Sequence, residues 1–519
     1  MDYEAYTMEE FERYFQTLQR DQYFPRLGKV FKTDKYFYFL DMGTGKIAQV
    51  DKDVYLVLKL LFETNNDFKK LTTICLTNRK LKKTLAKICL AVEEQHVLSA
   101  APFEEIQGKA MYLESMLENE ISSIILEVTE RCNLRCNYCI YHSKHQSYRE
   151  FGNKNMSIAL AKKAIDFLAS YSKCNKEIYI GFYGGEPLIN FPLIKQSIKY
   201  AKNLFNDQKI TFSMTTNATL LTEEIADFLV ANEMSIIISL DGPKDIHNQN
   251  RVFINQEGSF TSTLKGVENL IKAYCKQKIE PNFGFNMVIT NAYNQKIYDE
   301  IYDLFNSIKN LPENFAVTLG GVNHDPHDYE YILPQSLAEI ELLKSIDTPM
   351  FLWHDKKQKK LRNDEPLYTK GAYNQGLLRV HKRIMSDYPL QVYGMQGCCA
   401  PGVRRLYVTT EGNFNICEKV GNIPSLGNID DGFDLENIKK YYFDDYLSEV
   451  KKYCQNCWAV NLCGLCYTNC YDSNGMHFKY RHLACMEERA LLEESLIRYH
   501  KIFEENPYAL EYLNEIEIT

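Results

Sequence analysis

Residues 123–139 read SIILEVTERCNLRCNYC, an apolar, β-branched run followed at once by Cys132, Cys136 and Cys139. The run predicts a strand over Ser123–Glu127, so the cysteines fall in the loop at its C-terminal end. Three thiolates spaced C-x3-C-x2-C in one loop can take three corners of a [4Fe–4S] cluster and leave the fourth iron open to a ligand. A zinc ion is the competing reading, with His142 or His145 as the fourth ligand.

Working outward, the pattern repeats. Further strands are expected at Ile178–Tyr183, Ile210–Thr216, Ser235–Leu240, Phe283–Ile289 and Phe315–Leu319. Helices between them include Ser157–Ser170, Leu193–Phe205 and Thr263–Cys275. Six strands in regular βα alternation predict an α/β fold, either a parallel sheet or a partial barrel. Chemistry in such folds sits beyond the C-terminal strand ends. There the second strand carries Gly184-Gly185-Glu186-Pro187, whose glycines let backbone approach a ligand closely. The third ends at Ser213 and Asn217, with side chains suited to a ribose. The fourth ends at Ser239 and Asp241-Gly242-Pro243, and Arg251 follows at a position suited to a carboxylate.

The whole chain has 519 residues, 45% of them apolar and 25% charged, with a formal charge of −8. Such a length suggests about three domains. The charge argues against a generally basic nucleic-acid binder. The polar start MDYEAYTMEE is no signal peptide, and no apolar run approaches the roughly 20 residues that span a bilayer. A cytoplasmic protein with no membrane partner is expected. Sixteen cysteines in such a chain point to metal ligands, not disulfides. The four scattered ones are the exceptions: Cys75 and Cys89 sit in apolar helical stretches like small buried hydrophobes, and Cys174 and Cys275 carry no motif. Of the histidines, only His247, beyond the fourth strand's turn, is placed to merit attention.

Residues 1–110 form a separate unit. Tyr36–Leu40 and Ile47–Val50 predict a hairpin, and Asp51 or Asp53 a helix cap. A helix from about Asn78 to Glu94 completes a winged-helix outline. Residues 118–325 hold the alternating strands and helices. Residues 326–395 are polar and mixed, with helices expected around 335–346 and 374–386, and the Lys356–Lys360 run is a solvated face. The cysteine-rich module spans 396–490, and a helical tail closes the chain over 491–519. That module contains Cys398, Cys399, Cys417, Cys454, Cys457, Cys463, Cys466, Cys470 and Cys485. Nine thiols suit two Fe–S clusters, with two zinc ribbons as the competitor.

Taken together, these motifs resemble the radical S-adenosylmethionine superfamily. Cys132, Cys136 and Cys139, with Tyr138 as the aromatic, resemble its C-x3-C-x-aromatic-C signature, and Gly184–Pro187 its GGEP motif. The resemblance implies a partial (β/α)6 barrel. It also implies a cofactor chelated through its amine and carboxylate to the open iron, and one-electron cleavage to a 5′-deoxyadenosyl radical. Ser213, Asn217, Ser239 and Arg251 are the implied cofactor contacts.

The C-terminal run is similar to the SPASM module of radical enzymes that modify peptides. By that resemblance Cys399, Cys417 and one of Cys466 or Cys470 hold a first auxiliary cluster. Cys454, Cys457, Cys463 and Cys485 hold a second, and Cys398 is an extra thiol. With such company, the N-terminal module resembles the leader-recognition element of ribosomal-peptide maturases, which adds a leader as a strand. The implied activity is thioether formation of the sactipeptide or ranthipeptide kind, with flavodoxin or ferredoxin as electron donor. The alternatives are formylglycine formation, as in anaerobic sulfatase maturases, with Glu418 as the carboxylate base after Cys417, and a carbon–carbon crosslink.

Overall fold

Alternating apolar positions set the central layer. In β5 the side chains of Ile178, Ile180 and Phe182 are buried on one face, while Tyr179 and Tyr183 lie on the other. The first set joins a core with Ala161, Ile165, Ile194 and Ile198 of the flanking helices. The computed structural model describes the chain except residues 1–2, 20–21, 103–111, 143–149, 207, 291–294, 313–314, 322–369, 395–396, 422, 468–469, 473–474, 478–480 and 517–519.

The N-terminal unit has a three-stranded antiparallel sheet of β1 (Gly28–Lys32), β2 (Phe37–Asp41) and β3 (Ile47–Val50), in that order. Helices Met8–Gln19, Lys52–Glu63 and Asn78–Gln95 pack on it around Phe11, Phe15, Leu61, Leu85 and Cys89. Asp51 caps the second helix by accepting from the backbone N–H groups of Asp53 and Val54. Cys89 is buried as its apolar helix face requires, but Cys75 is exposed, because it falls between helices.

Six parallel strands follow: β4 (Ser123–Thr129), β5 (Glu177–Gly184), β6 (Lys209–Thr216), β7 (Ser235–Ser239), β8 (Phe283–Ile289) and β9 (Ala316–Gly321). Helices between successive strands make this the expected partial barrel. The sheet then extends past β4. Residues of the cysteine-rich module, β10 (Leu406–Val408), pair in parallel with Ile124–Leu126 of β4. Strands β11 (Asn413–Asn415), β12 (Gly427–Asn428) and β13 (Gly432–Phe433) continue it antiparallel, giving a ten-stranded sheet. Gly412 makes the β10–β11 turn at φ +90°, where a Cβ would lie 2.7 Å from Ile429.

A helix expected near 374–386 spans Lys370–His381, and the tail helix spans His482–Glu505. The helix expected at 335–346 and the Lys356–Lys360 run lie outside the described residues. The tail helix fastens the N-terminal sheet. Lys29 pairs with Glu493 at 3.0 Å, and Thr33 and Tyr38 donate to Glu504 at 2.6 and 2.8 Å. Asn461 also donates to the Met42 carbonyl at 2.8 Å. Among the described residues no helix is long and apolar enough to cross a membrane.

Candidate active site

The cysteine loop leaves β4 and is held from two sides. Arg135 N–H donates to the Val252 carbonyl at 2.7 Å, and Asn137 N–H to the Asn250 carbonyl at 3.0 Å. On the other side, Gly185 N–H donates to Thr129 at 2.9 Å and Glu186 N–H to Arg131 at 2.8 Å. The glycine pair is what permits this. A Cβ on Gly184, whose φ is +134°, would lie 2.1 Å from the Thr129 oxygen, and one on Gly185 would lie 2.2 Å from the Arg131 oxygen. The close approach that the glycines allow is thus made by the cysteine loop's own backbone, and the amides of Gly185 and Glu186 are both engaged there.

Glu186 is buried and ties two strand ends together. Its carboxylate accepts from Thr216 Oγ1 at 2.7 Å, Asn217 N at 2.8 Å and Leu188 N at 3.1 Å. Burial raises its pKa, opposed by those three bonds. Pro187 opens the short turn that follows. Asn217 in turn donates to Asn133 Oδ1 at 3.0 Å, so the β6 end also holds the cysteine loop. The register puts Ser213 beside Gly181 and Ser235, on the sheet face opposite the helix-packed residues. Ser239 and Tyr183 share that face by alternation.

Asp241, at the end of β7, is fully buried and gathers three partners. Arg251 pairs with it through Nε at 2.9 Å and Nη2 at 3.0 Å, Val288 N–H donates at 3.0 Å, and the Tyr138 hydroxyl donates to Oδ2. The Arg251 guanidinium lies over the Tyr138 ring at 5.4 Å. Arg251, expected at a cofactor carboxylate, is here engaged by a carboxylate of the chain itself. His247 is a satisfied core histidine. Its Nδ1 accepts from Asp241 N–H at 3.3 Å and its Nε2 meets Ser259 Oγ at 3.0 Å.

The thiols of Cys132, Cys136 and Cys139 turn inward together. Burial raises the pKa of each, most simply seen at Cys139, which reaches about 12 through burial and then the charge of Cys136. Arg251 works the other way on Cys136. Three half-buried thiols beside one guanidinium, in a loop with no fourth cysteine, fit a cluster with one open iron. Among the described residues, no three His, Cys, Asp or Glu side chains converge tightly enough to hold a single metal ion. Ligands that each take one corner of a cluster need not converge on a point. His142 gives its backbone N–H to the Cys139 carbonyl, and His145 lies outside the described residues.

Tyr183 connects the two cysteine regions. Burial pushes its phenol far above the ordinary range, and Tyr141, Glu418, Cys139 and Cys417 all act on it in the same direction. Glu418, directly after Cys417, is buried at 8% exposure and accepts from Arg405 Nη1 at 2.8 Å. Cys417 is raised to about 12 by burial and then Glu418, with Cys466 also in reach.

The remaining thiols divide by neighbourhood. Cys398 lies near Cys466 and Cys470, whereas Cys463 and Cys485 lie near Cys457. Cys454 ends helix Tyr446–Cys454, and its carbonyl accepts from Cys457 N–H at 3.0 Å. The Cys399 carbonyl accepts from the Tyr467 hydroxyl at 2.7 Å. Cys398, an extra thiol by the spacing pattern, also lies near Cys466 and Cys470. The structure also brings in Arg405, Tyr183 and Asp241, none of which carries a motif of its own as a partner to these groups. The sixteen cysteines form no disulfide.

Residues 126–305 match the sequence profile of the radical SAM superfamily. A cysteine-type anaerobic sulfatase-maturating enzyme from Clostridium novyi is 25% identical over 372 residues, 69% of this chain and 90% of its own length. The radical SAM cyclopropyl synthase TigE from Paramaledivibacter caminithermalis is 27% identical over 309 residues, 56% of this chain and 60% of its own. In fold, the chain is similar to anSMEcpe solved with bound AdoMet, at a TM-score of 0.52 and 21% identity, over 74% of this chain and 99% of that one. Residues 126–305 are thus a radical SAM domain, and a sulfatase-maturating enzyme and a radical SAM cyclopropyl synthase are among the relatives of the chain. The radical SAM superfamily works with S-adenosylmethionine and a [4Fe–4S] cluster, which the loop thiols and the polar sheet face suit.

Proposed function

We propose that this enzyme matures a ribosomally made peptide, joining a cysteine sulfur to a carbon of another residue in the same precursor. The observation that carries the proposal is the N-terminal sheet. Strand β3 lies at its edge with Ala48 and Gln49 exposed, beside no further strand among the described residues. An extended leader can add a strand there and keep the core peptide near the barrel mouth. The bonds from Lys29, Thr33 and Tyr38 to the tail helix hold the sheet from its β1 side and leave the β3 edge clear of them.

Bound S-adenosylmethionine, reduced through its cluster, supplies the radical that removes a hydrogen from the substrate. Cys132, Cys136 and Cys139 hold that cluster. Tyr138, Gly184–Pro187, Ser213, Asn217, Ser239 and Arg251 shape the cofactor's surroundings, several of them by positioning the loop. Glu418 takes the substrate's proton, and the one electron left when the carbon–sulfur bond closes would be accepted by a cluster held by the auxiliary cysteines. Cys399 or Cys398 with Cys417, Cys466 and Cys470 form one auxiliary site. Cys454, Cys457, Cys463 and Cys485 form the other. Flavodoxin or ferredoxin is the electron source, and the cytoplasm is the setting.

The test is mass spectrometry of a leader-bearing, cysteine-containing precursor after anaerobic incubation with S-adenosylmethionine and reductant. Loss of two hydrogens together with a thiol that no longer alkylates supports the thioether. Loss of two hydrogens with the thiol retained indicates a carbon–carbon bond instead. Loss of the sulfur itself indicates formylglycine, a second reading favoured by Glu418 standing directly after Cys417 and by the similarity to sulfatase-maturating enzymes.

A further inference from the structure

The segment that follows β7 folds back on the first cysteine loop in a fixed register. Leu134 pairs antiparallel with Phe253. Two residues further along each segment, Cys136 stands opposite Arg251, bracketed by the bonds from Arg135 N–H to Val252 and from Asn137 N–H to Asn250. The main chain of Arg251 is pinned as well. Its N–H donates to the His247 carbonyl at 2.8 Å, and its own carbonyl accepts from Ser259 Oγ at 2.8 Å. Arg251 is 6% exposed, and its guanidinium is held by both oxygens of Asp241. Tyr138, two residues past Cys136, donates to the same carboxylate. Backbone and side chain thus fix both the place and the direction of this charge.

Burial is the largest influence on the Cys136 thiol. The positive charge of Arg251 comes next and favours the thiolate, ahead of the negative charge of Asp241, which opposes it. The ion pair therefore presents its positive end to that sulfur. An iron–sulfur cluster gains one negative charge on reduction, and its potential follows the charges and hydrogen bonds at its sulfurs. We infer that Arg251, aimed by Asp241 and Tyr138, is a positioning residue for the Cys136 corner of the first cluster and raises the reduction potential of that cluster, with Asp241 limiting the rise. This rests on the reading of Cys132, Cys136 and Cys139 as the cluster's ligands. A role at the carboxylate of the cofactor is the competing assignment for Arg251.

The test is a mediated dithionite titration, followed by electron paramagnetic resonance, on anaerobically purified full-length protein without S-adenosylmethionine. The first cluster's signal is the one that changes when S-adenosylmethionine is then added. Wild type, Arg251→Gln, Asp241→Asn and the double variant carrying both are compared. Iron, sulfide and zinc are measured on each, and S-adenosylmethionine affinity by equilibrium dialysis. Arg251→Gln is expected to make the first cluster harder to reduce by about tenfold, or about 59 mV for one electron. Asp241→Asn is expected to shift the potential the opposite way, and by less. The double variant removes both charges and leaves no unpaired buried ion, so its potential lies between the two, below that of wild type. It decides by direction if the single variants do not fold. Unmoved potentials at full iron overturn the inference, as do shifts of one sign in the two single variants. Loss of the cluster from every variant marks the pair as scaffolding and overturns it too. Weaker cofactor binding by Arg251→Gln at an unmoved potential assigns the arginine to the cofactor instead. Zinc at the first site of the wild type, or no signal that responds to S-adenosylmethionine, overturns the ligand reading beneath it.

Discussion

Arg405 Nη1 bonds Glu418 Oε1 at 2.8 Å, while the second carboxylate oxygen of Glu418 is buried and makes no hydrogen bond among the described residues. One oxygen is therefore fixed in direction and the other is an open acceptor, on a carboxylate whose charge is felt by both Tyr183 and Cys417. A general base needs this arrangement, an aimed oxygen with a vacant lone pair. Glu418→Gln keeps the shape and loses the acceptor strength. Peptide modification should fall by about 10²–10⁴-fold, with deoxyadenosine accumulating in excess of modified peptide. Equal losses of both products would argue that Glu418 acts earlier than proton removal. Chromatography of both products from one reaction decides it.

The contact between Gly185 and the cysteine loop predicts a different kind of failure. Alanine there would set a Cβ 2.2 Å from the Arg131 oxygen and 2.9 Å from the Cys132 nitrogen, so the loop must shift. Gly185→Ala should cost about 1–3 kcal/mol of stability and weaken retention of the first cluster. Gly394, where an added Cβ would meet nothing within 4 Å among the described residues, is the control, and its alanine variant should stay within about 0.5 kcal/mol. Iron content and denaturation midpoints read both effects.

Legibility in the sequence depends on distance along the chain. Strands β4 to β9 are legible because each is a local run of β-branched and apolar residues, and their observed ends differ from the expected ones by only a few positions. Strand β10 is not, because Leu406–Val408 is three residues long and becomes a strand only by pairing with Ile124–Leu126. Strand β1 (Gly28–Lys32) and the helix Met8–Gln19 escape notice because polar residues interrupt short apolar patterns around Val30, Phe11 and Phe15. At the site, the cysteines announce themselves through spacing. Arg251 is visible too, but a lone arginine does not reveal whether its carboxylate partner is a ligand or, as here, Asp241. Gly184 and Gly185 are recognisable as sites of close approach, while what approaches them is a tertiary fact.

The Asp241 network yields a stability prediction. Asp241→Asn leaves the buried Arg251 without its full countercharge, and breaking a buried pair this way costs about 3–5 kcal/mol. Tyr138→Phe removes one bond to the same carboxylate and should cost about 1–3 kcal/mol. Chemical denaturation of the two variants beside wild type tests the ranking. A smaller effect for Asp241→Asn than for Tyr138→Phe would contradict the placement of Arg251 against Asp241.

His247 sets a pH dependence whose sign follows from its surroundings. Burial, and then the positive charge of Arg251, lowers its pKa from 6.5 to about 4 in the folded chain. In the unfolded chain it protonates near the ordinary value. Between about pH 4 and about pH 6.5 the unfolded state therefore binds more protons, and stability falls as the pH falls through that window. Above it, His247 is neutral in both states and contributes no slope. The full effect is on the order of 3 kcal/mol. His500, also lowered mainly by burial, acts in the same direction, so the contribution of His247 is read as a difference between proteins. The expected result is that wild type loses more stability than His247→Gln when the pH is lowered from about 7.5 to about 4.5, measured by denaturation midpoints at matched ionic strength. Parallel losses in the two proteins would mean that the imidazole takes up its proton in the folded state, contrary to its two bonds with Asp241 N–H and Ser259.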